Sequence, residues 1–502
     1  MPPQPENTPD PAPASPRRAA VRRAAAALAA AGMLAAVAAS APAAAADGGV
    51  CNTYCDARDP ANALKDRVPV TATLHGRAMA LHVDDGSAMA FGTLDNVVPG
   101  DKIWVDRSFD GGRTWDGGSR LGDTTAPGGV GGWRTQMYNV DDWNTGRIGA
   151  LRACAQVTGD DDIACTGWAR SDWNGADRRQ AAATALMMDY DRKTGLFGGD
   201  GWWTSANALT ALIDTIRRTG VKSYAYAVDE TYDKNKDRTD GGRLGQFRNE
   251  YLDDTGWWGL AWVKAYDLTG DARYLDTARA DADHMAGYWT DTCGGGVQWK
   301  TDTAYKNAVT NELYIALNAA LHNRTEGDTR YLDRANSGWN WLRGSGMING
   351  KHLVNDGLND SCKNNGQPTW TYNQGVILGG LAELHRATGD DALLRGAREL
   401  ADASTGSGDL NPGGILREPG ESHSCTGDGP SFKGAYVRGL GALNRELDGH
   451  PYDGYLTKQA DTAYAKDRNA LDQYGPHWNG DRGDGPGHGC QHSALDLLNA
   501  AP

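Results

Sequence analysis

Two adjacent aspartates, Asp253 and Asp254, are the residues whose types and spacing most readily support chemistry in this sequence. They stand in the segment YLDDTGWWGLAW, residues 251–262, where the pattern predicts the start of a helix. One aspartate is enough to cap a helix N-terminus, and a second one beside it adds electrostatic repulsion. A capping aspartate followed by a solvent-facing one is the structural interpretation. The functional interpretation is a carboxylate pair that shares one cleft.

A carboxylate pair of this kind can cleave a glycosidic bond. One ionised carboxylate attacks the anomeric carbon, while the other, still protonated, releases the leaving oxygen. Mutual repulsion and a semi-buried position beside Trp257 and Trp258 separate two pKa values in this sense. Neighbouring side chains at an irregular helix start can lie roughly 5 Å apart, as in retaining enzymes, whereas inverting enzymes need ~6.5–9.5 Å. The spacing therefore favours retention.

A second polar motif, WTYNQG at residues 370–375, directly precedes an apolar helix. Tyr372, Asn373 and Gln374 offer a hydroxyl and two amides, which donate to and accept from sugar hydroxyls. Tryptophan is unusually frequent, with 17 Trp against five Phe, which suits stacking of indole rings on sugar faces as well as core packing. The candidates for stacking, each with core packing as the alternative, are Trp203, Trp257, Trp258 and Trp370.

One sequence pattern repeats after about residue 175, and it predicts a series of helical hairpins. These hairpins are the elements that would position the two motifs. Segments starting at 260, 315 and 378 each consist of an amphipathic helix, a glycine, an aspartate and a second amphipathic helix. The glycine suits the left-handed position after a helix, and the aspartate caps the next one. The breaks fall at Gly220, Gly270, Gly327, Gly389 and Gly449, and the capping positions are Asp271, Asp328 and Asp390.

With the initial helix AAATALMMDYD, the count approaches six hairpins. Such repeats either close into an (α/α)6 toroid of inner and outer helices or remain an open solenoid. Closure is favoured, because it brings the polar, tryptophan-rich helix starts together in one cleft. The sequence thus predicts an all-α (α/α)6 domain over residues 175–502.

The preceding residues, 47–174, alternate apolar and polar positions with period two, which predicts a small all-β, sandwich-like module. The segment SFDGGRTW, residues 108–115, fits the Asp-box turn, in which Asp110 binds the turn backbone. Trp133 and Trp143 are candidates for carbohydrate binding by this module. A packing or spacer role is the alternative.

Residues 1–46 are predicted to be a secretory signal peptide. Arginines at 17, 18, 22 and 23 precede an alanine-rich apolar run and small residues that suit cleavage near Asp47. A membrane anchor is the alternative, but the run is only weakly apolar. We therefore expect a secreted, extracellular protein that has no membrane partner after cleavage. The choice between the general and the twin-arginine export route stays open.

The net charge of the chain excludes one class of binding partner. The net charge is −14, which makes nucleic acid a poor partner because phosphate binding needs a basic face.

Eight cysteines in an exported chain indicate disulfides. Local pairing of Cys51 with Cys55 and of Cys154 with Cys165 is expected, and the other four pair in an undetermined way. We expect Cys490, which stands between His488 and His492, to be in a disulfide rather than a metal site.

Several motifs occur here in the order found in a known family of enzymes. Residues 176–448 resemble glycoside hydrolase family 76, the bacterial α-1,6-mannanases and related fungal wall enzymes. The matching segments are DGWWTSANAL, YLDDTGWW, the TGDxxYL hairpins, DGL at Asp356, WTYNQG, and FKG at residues 432–434.

The resemblance implies an (α/α)6 fold and endo cleavage of α-1,6-linked mannose with retention, without a metal or other cofactor. It implies that Asp253 is the nucleophile and Asp254 the general acid/base. The positions implied to hold the sugar are Asp356, Tyr372, Asn373 and Gln374. The partner would be mannan or another mannose-containing cell-wall polysaccharide, bound by a monomer.

Other functions compete with this interpretation. A transglycosylase of the same family would use the same covalent intermediate and pass it to a sugar hydroxyl instead of water. A polysaccharide lyase or uronyl hydrolase on a similar toroid would need Arg, His or Tyr around an acidic sugar, and the motifs here carry Asp, Trp, Asn and Gln. A non-catalytic binder of wall glycans would have no use for the paired aspartates.

Overall fold

The computed structural model describes residues 56–115, 118–142, 144–171, 177–199 and 201–502. The predicted signal peptide, the predicted Cys51–Cys55 pair and Trp143 lie outside these residues. The exact boundary expected between residues 174 and 175 falls outside them as well and stays a prediction.

The first part of the described chain consists of strands, followed by one short hairpin between the first two helices. The strands are β1 Asp66–Leu74, β2 Arg77–Asp84, β3 Met89–Asp95, β4 Lys102–Ser108, β5 Arg120–Thr125, β6 Gly132–Arg134, β7 Tyr138–Asn139, β8 Ala150–Gln156, β9 Ile163–Cys165, β10 Tyr190–Asp191 and β11 Leu196–Phe197.

Strands β1–β9 form two antiparallel sheets. One has the order β1-β2-β3-β6, with β7 also paired to β3, and the other has the order β5-β4-β8-β9. Alternate side chains of both sheets, among them Leu81, Val83, Val105 and Leu151, meet in one buried core. The predicted N-terminal β-rich region is therefore confirmed, and its alternating pattern reflects one buried face per strand.

The Asp110 turn and Trp133, both noted in the sequence of this region, make contacts that stabilise the fold. The Asp110 carboxylate accepts a hydrogen bond of 2.9 Å from the backbone N–H of Thr114, as expected for the turn. Trp133 is half-buried, packs against the sheet core and donates from its indole N–H to Thr124 Oγ1 at 3.1 Å. These contacts favour a packing role for Trp133.

The rest of the chain is helical. The helices are α1 Arg178–Met187, α2 Trp202–Thr219, α3 Tyr226–Asn235, α4 Leu252–Thr269, α5 Ala272–Ala286, α6 Ala308–His322, α7 Arg330–Gly344, α8 Thr371–Thr388, α9 Asp391–Gly406, α10 Phe432–Glu446, α11 Asp453–Lys466 and α12 His488–Ala500.

The even-numbered helices contact one another in sequence, α2 with α4, then α6, α8, α10 and α12, and α12 also contacts α2. They are buried nearly all round: every residue of α6 from Ala308 to Leu321 is buried. Most odd-numbered helices are less buried, and α9, for example, buries a stripe that includes Leu393, Ala397 and Leu400. Helix α1 is the exception, with every residue from Ala181 to Met187 buried. A helix buried all round must lie inside a larger packing, so we call the even-numbered helices the inner helices.

The predicted helix breaks are confirmed at the positions that end inner helices. Gly220, Gly270 and Gly389 are left-handed and close α2, α4 and α8. Gly327 and Gly449 also have positive φ, in turns between helices.

The predicted capping aspartates have two outcomes. Asp271 and Asp390 cap α5 and α9 by accepting backbone N–H bonds. The expectation for Asp328 is wrong by one residue, because Thr329 precedes the first residue of α7. Asp328 still accepts from the backbone N–H of Tyr331 at 2.9 Å, so it satisfies a free donor of the first turn from one position further out.

Three disulfides link described residues. Cys154 pairs with Cys165, as predicted, and joins β8 to β9. Cys293 pairs with Cys362, and Cys425 pairs with Cys490, so Cys490 is in a disulfide as expected. Among the described residues, none of the helices has the length and apolar character needed to span a membrane.

Candidate active site

The start of α4 is held by the segment that follows α5, and this contact positions the paired aspartates. The backbone N–H of Leu252 donates to the carbonyl of Trp299 at 2.9 Å, and Tyr251 forms a β-bridge with Lys300. Leu252 is fully buried and anchors the first turn. Asp253 and Asp254 follow directly in that turn, as the sequence predicts.

Both aspartates line a cavity of about 280 Å³ at the N-terminal ends of the inner helices. Five of these helices contribute to its wall, because residues from the starts of α2, α4, α6, α8 and α10 converge there. The lining residues are Trp203, Asp253, Asp254, Trp257, Trp299, Tyr305, Asn307, Val309, Asp356, Tyr372, Asp428 and Phe432.

Burial is the main influence on Asp253, and it raises the pKa of this carboxyl above its ordinary value. The indole N–H of Trp299 donates to Asp253 Oδ2 at 3.2 Å, which lowers the pKa and opposes the burial. The negative charge of Asp428 raises it further. The other oxygen, Oδ1, is buried and has no hydrogen-bond partner among the described residues.

The pKa of Asp254 is also raised, well above its ordinary value. Burial is the largest cause, and the charges of Asp253 and Asp428 add to it, while Arg243 alone acts in the opposite direction. Asp254 has no hydrogen-bond donor comparable to Trp299 among the described residues. Of the two carboxyls, Asp253 is therefore the first to ionise and Asp254 the one that keeps its proton longer.

Asp356, a predicted site residue, also lines the cavity and belongs to a small hydrogen-bonded group. The Tyr305 hydroxyl donates to Asp356 Oδ2, and the amide of Asn365 donates to the same oxygen at 3.3 Å. The backbone carbonyl of Asp356 accepts from the N–H of Ala308 at 2.7 Å, which ties this loop to the start of α6. The Asp356 carboxylate is thus fixed in orientation.

Aromatic rings form the rest of the wall. Trp203 and Trp257 are stacked with centroids 5.7 Å apart, and Tyr372 meets Phe432 edge-on at 4.1 Å. Burial raises the pKa of the Tyr372 hydroxyl well above its ordinary value, so this hydroxyl stays a neutral donor and acceptor.

Four predicted site residues do not line the cavity. Trp258 is fully buried against Trp202, Phe247 and Trp262. Trp370 is half-buried and meets the edge of Phe432.

The other two are amides in the interior. Asn373 is fully buried, and neither its Oδ1 nor its Nδ2 has a partner among the described residues. Gln374 bonds to both the N–H and the carbonyl of Val354 at 2.8 Å and to the carbonyl of Trp370 at 3.0 Å. Its amide therefore stabilises the loop that leads to Asp356.

Sequence reasoning missed several lining residues, of which Asp428 is the most consequential. Its carboxylate accepts from the indole N–H of Trp203 at 2.8 Å, and its charge acts on both Asp253 and Asp254. It stands four residues before the FKG motif at 432–434, which is the signal that could have drawn attention to it. Trp299, Tyr305 and Asn307 lie in a loop without a comparable motif.

A pair of neighbouring, half-buried carboxylates with raised pKa values, in a cavity walled by aromatic rings, is typical of a glycoside hydrolase. A family model described as "Glycosyl hydrolase family 76" matches residues 174–501, and the chain belongs to this family. The resemblance seen in the sequence is thereby confirmed.

Curated relatives of the chain come from fungi. Mannan endo-1,6-alpha-mannosidase DFG5 of Candida albicans is 27% identical over 351 residues, which cover 62% of this chain and 75% of the relative. Mannan endo-1,6-alpha-mannosidase DCW1 of Saccharomyces cerevisiae is 30% identical over 281 residues, 50% of this chain and 60% of the relative. A putative enzyme of the same name from Schizosaccharomyces pombe is matched over 61% of its length, so the chain spans about three fifths of two of these relatives.

Solved structures are also similar. The GH76A alpha-1,6-mannanase of Salegentibacter sp. HEL1_6 is 27% identical, with a TM-score of 0.57 over 64% of this chain and 97% of that one. An inactive variant of the same enzyme, in which two consecutive aspartates are replaced by alanine, is in complex with an alpha-1,6-mannotetrose. That variant is 26% identical, with a TM-score of 0.56 over the same shares of the two chains.

Proposed function

We propose that this protein is a secreted enzyme that hydrolyses α-1,6-mannosidic linkages within mannan, with retention of anomeric configuration. The observation that carries the proposal is the half-buried pair Asp253 and Asp254 in an aromatic cavity, with different influences on their two pKa values. The Salegentibacter mannanase variant supports it, because that variant is inactive when two consecutive aspartates are replaced. Asp253 and Asp254 are the consecutive aspartates among the residues that line this cavity.

The proposed roles follow from the electrostatics. Asp253 ionises first, since Trp299 donates a hydrogen bond to it, and so acts as the nucleophile. Asp254 keeps its proton under the charges of Asp253 and Asp428, and so acts as the general acid that releases the leaving oxygen. After the glycosyl–enzyme intermediate forms, ionised Asp254 takes a proton from the incoming water, which restores both groups.

The fold we propose for residues 175–502 is the (α/α)6 toroid. The contact of α12 with α2 supports closure of the inner layer, and so does the convergence of helix starts on one cavity. In an open solenoid the first and last repeats would have no reason to meet.

The remaining predicted residues divide into two groups in this proposal. Trp203 and Trp257 offer ring faces to the sugars, and Asp356 and Tyr372 offer oriented polar groups to their hydroxyls. Trp258, Trp370 and Gln374 support the starts of α4 and α8 from outside the cavity lining. Asn373 is buried beside them at the start of α8.

The deciding experiment follows the products of the mature protein on linear α-1,6-mannan by proton NMR. We expect oligosaccharides with α configuration to appear first, because retention passes through two inversions. Asp253→Asn and Asp254→Asn should each lose at least ~100-fold in rate, the usual contribution of a nucleophile or a general acid/base.

Asp390→Asn is the matched control. It makes the same carboxylate-to-amide change at the start of another helix, and asparagine caps as well as aspartate, so activity should be unchanged. Products of β configuration would rule out retention. Full activity in both cavity variants would rule out the proposed roles, and products longer than the substrate would assign the protein to transglycosylation instead.

A further inference from the structure

A group of metal-ligating side chains lies outside the active-site cavity, in the loops before α10 and α12. It consists of His423, His477 and Asp481, whose ligand atoms lie within 4.8 Å of one another. The three line a separate cavity of about 210 Å³. His423 and Asp481 are largely exposed and His477 is largely buried, so the group has one anchored member and an open side.

Two of the three distances within this group suit ligands of a common ion. Asp481 Oδ2 lies 3.4 Å from His423 Nδ1 and 3.3 Å from His477 Nδ1. Both separations exceed the ~2.7–3.2 Å usual for a hydrogen bond. Ligands at the corners of a tetrahedron, each ~2.0–2.1 Å from a zinc ion, lie about 3.3 Å apart.

The backbone holds the three ligands in place. His477 and Asp481 are partners in a β-bridge across a tight turn, which is closed by the N–H of Gly480 bonding to the His477 carbonyl at 3.0 Å. The carbonyl of His423 accepts from the N–H of Asp484 at 2.8 Å, so the first loop is attached to the second just beyond Asp481. An ion would therefore meet a largely preformed set of donors.

A second carboxylate stands behind His477. Glu421 Oε2 lies 3.5 Å from His477 Nε2, while Glu421 Oε1 pairs with the buried ammonium of Lys433 at 2.5 Å. Nε2 of His477 therefore faces the Glu421–Lys433 pair, and Nδ1 is the ring nitrogen on the side of Asp481.

We propose that His423, His477 and Asp481 bind a divalent transition-metal ion of the zinc type. Two imidazoles and one carboxylate are ligands that Zn²⁺ prefers, and a fourth position is left for water on the open side. The ion joins the loop that carries Asp428 to the loop before α12, alongside the Cys425–Cys490 disulfide. This is a loop-stabilising site, and it takes no part in the glycosidic chemistry.

The test is titration of the untagged, chelator-treated mature protein with Zn²⁺ by calorimetry. We expect one equivalent to bind, and we expect His423→Ala and Asp481→Asn each to weaken binding at least ~10-fold. Because both side chains are mostly exposed, these variants should fold normally, which thermal unfolding without Zn²⁺ verifies. Zn²⁺ should raise the melting temperature of the wild type and leave that of His423→Ala unchanged.

The chain offers a matched control in a second, exposed group, His75 with Asp160 and Asp162. His75→Ala should leave the binding isotherm unchanged. The proposal is overturned if the wild type binds no Zn²⁺, if His423→Ala binds as tightly as the wild type, or if His75→Ala is the variant that loses the ion. None of these readouts depends on mannan cleavage.

Discussion

Partly buried carboxylates at the two ends of the inner helices differ in their charged neighbours. At the N-terminal ends, Asp253 and Asp254 are in no ion pair among the described residues, and burial raises both of their pKa values. Towards the C-terminal ends, Lys264 Nζ lies 2.7 Å from both oxygens of Asp214, and Glu383 pairs with Arg324 and Arg386.

Burial raises the pKa of Asp214 and Glu383 too, but the neighbouring cations outweigh it, so both values are lowered. Cations also suit the negative ends of helix dipoles, which agrees with their position. For these four carboxylates, the charged neighbours therefore set the direction of the pKa shift. At Asp496, which pairs with Arg438 at 3.2 Å, burial prevails and the pKa is raised to about 7.

The largest expected effect comes from removing a cationic partner at the C-terminal end, which should lower the free energy of unfolding. Lys264→Met removes the cation that hydrogen-bonds to Asp214 and leaves this carboxylate charged and largely buried, with Arg438 and Arg445 as its remaining cationic neighbours. Because the side chains of Lys264 and Asp214 keep some exposure, we expect a loss of about 2 kcal/mol in the free energy of unfolding at neutral pH, below the usual range for a fully buried pair.

The pH dependence of this loss has a definite sign. The pKa of Asp214 is lowered by folding, so its contribution is present at neutral pH and disappears as the pH falls. Denaturant unfolding of Lys264→Met should therefore approach that of the wild type in acid. The double variant with Asp214→Asn should recover much of the loss, and a double variant as unstable as the single one would contradict the ion-pair explanation.

At the N-terminal end, Trp299→Phe removes the donor to Asp253 and keeps an aromatic ring. Loss of a hydrogen bond to a charged group costs about 1.5 kcal/mol, which predicts a kcat/KM roughly 10-fold lower. Since that bond lowers the pKa of Asp253, its removal raises the pKa, and the acidic limb of the pH–rate profile moves to higher pH.

Trp341→Phe is the control for this variant. Trp341 also donates its indole N–H, to the carbonyl of Cys293 at 3.0 Å, and it is outside the cavity lining. Its pH–rate profile should match that of the wild type. An equal shift in both variants would mean that Trp299 acts through general packing.

A smaller effect is expected at Glu312 on α6, a fully buried carboxyl whose two oxygens lack hydrogen-bond partners among the described residues. Burial raises its pKa well above the ordinary value, so its contribution to stability is present in acid and lost as the pH rises. Relative to the wild type, Glu312→Gln should gain about 1 kcal/mol between pH ~4 and pH ~8. Glu383→Gln, at the C-terminal end, should lose stability relative to the wild type over the same pH range, because the pKa of Glu383 is lowered. If the free energies of unfolding of the two variants change with pH in the same direction, the proposed difference between Glu312 and Glu383 is wrong.

The sequence predicted those parts of the structure that depend on local chemistry. Gly220, Gly270 and Gly389 end helices because a left-handed residue is needed there, and Asp271 caps because free N–H groups follow it. Asp253 and Asp254 could be located in the same way, because a helix cap needs only one aspartate and the second one called for another explanation.

The sequence could not predict which side of a helix faces the cavity. Trp257 and Trp258 are adjacent and point about 100° apart on α4, so one lines the cavity and the other is in the core. Gln374 has the same hydrogen-bonding capacity in either direction, and only the packed loop at Val354 uses it. Trp299 reaches Asp253 across 46 positions of chain, a separation that no local pattern encodes.

Trp257 borders a second cavity, of about 330 Å³, which continues between α2, α4, α6, α8 and α10 towards Lys264 and the arginines. Trp257 thus forms part of the wall of both cavities. We expect that shortening this side chain connects the two cavities, which would give water a second route to the covalent intermediate of the proposed mechanism. In that mechanism, the balance between hydrolysis and transfer to a sugar would then shift towards hydrolysis.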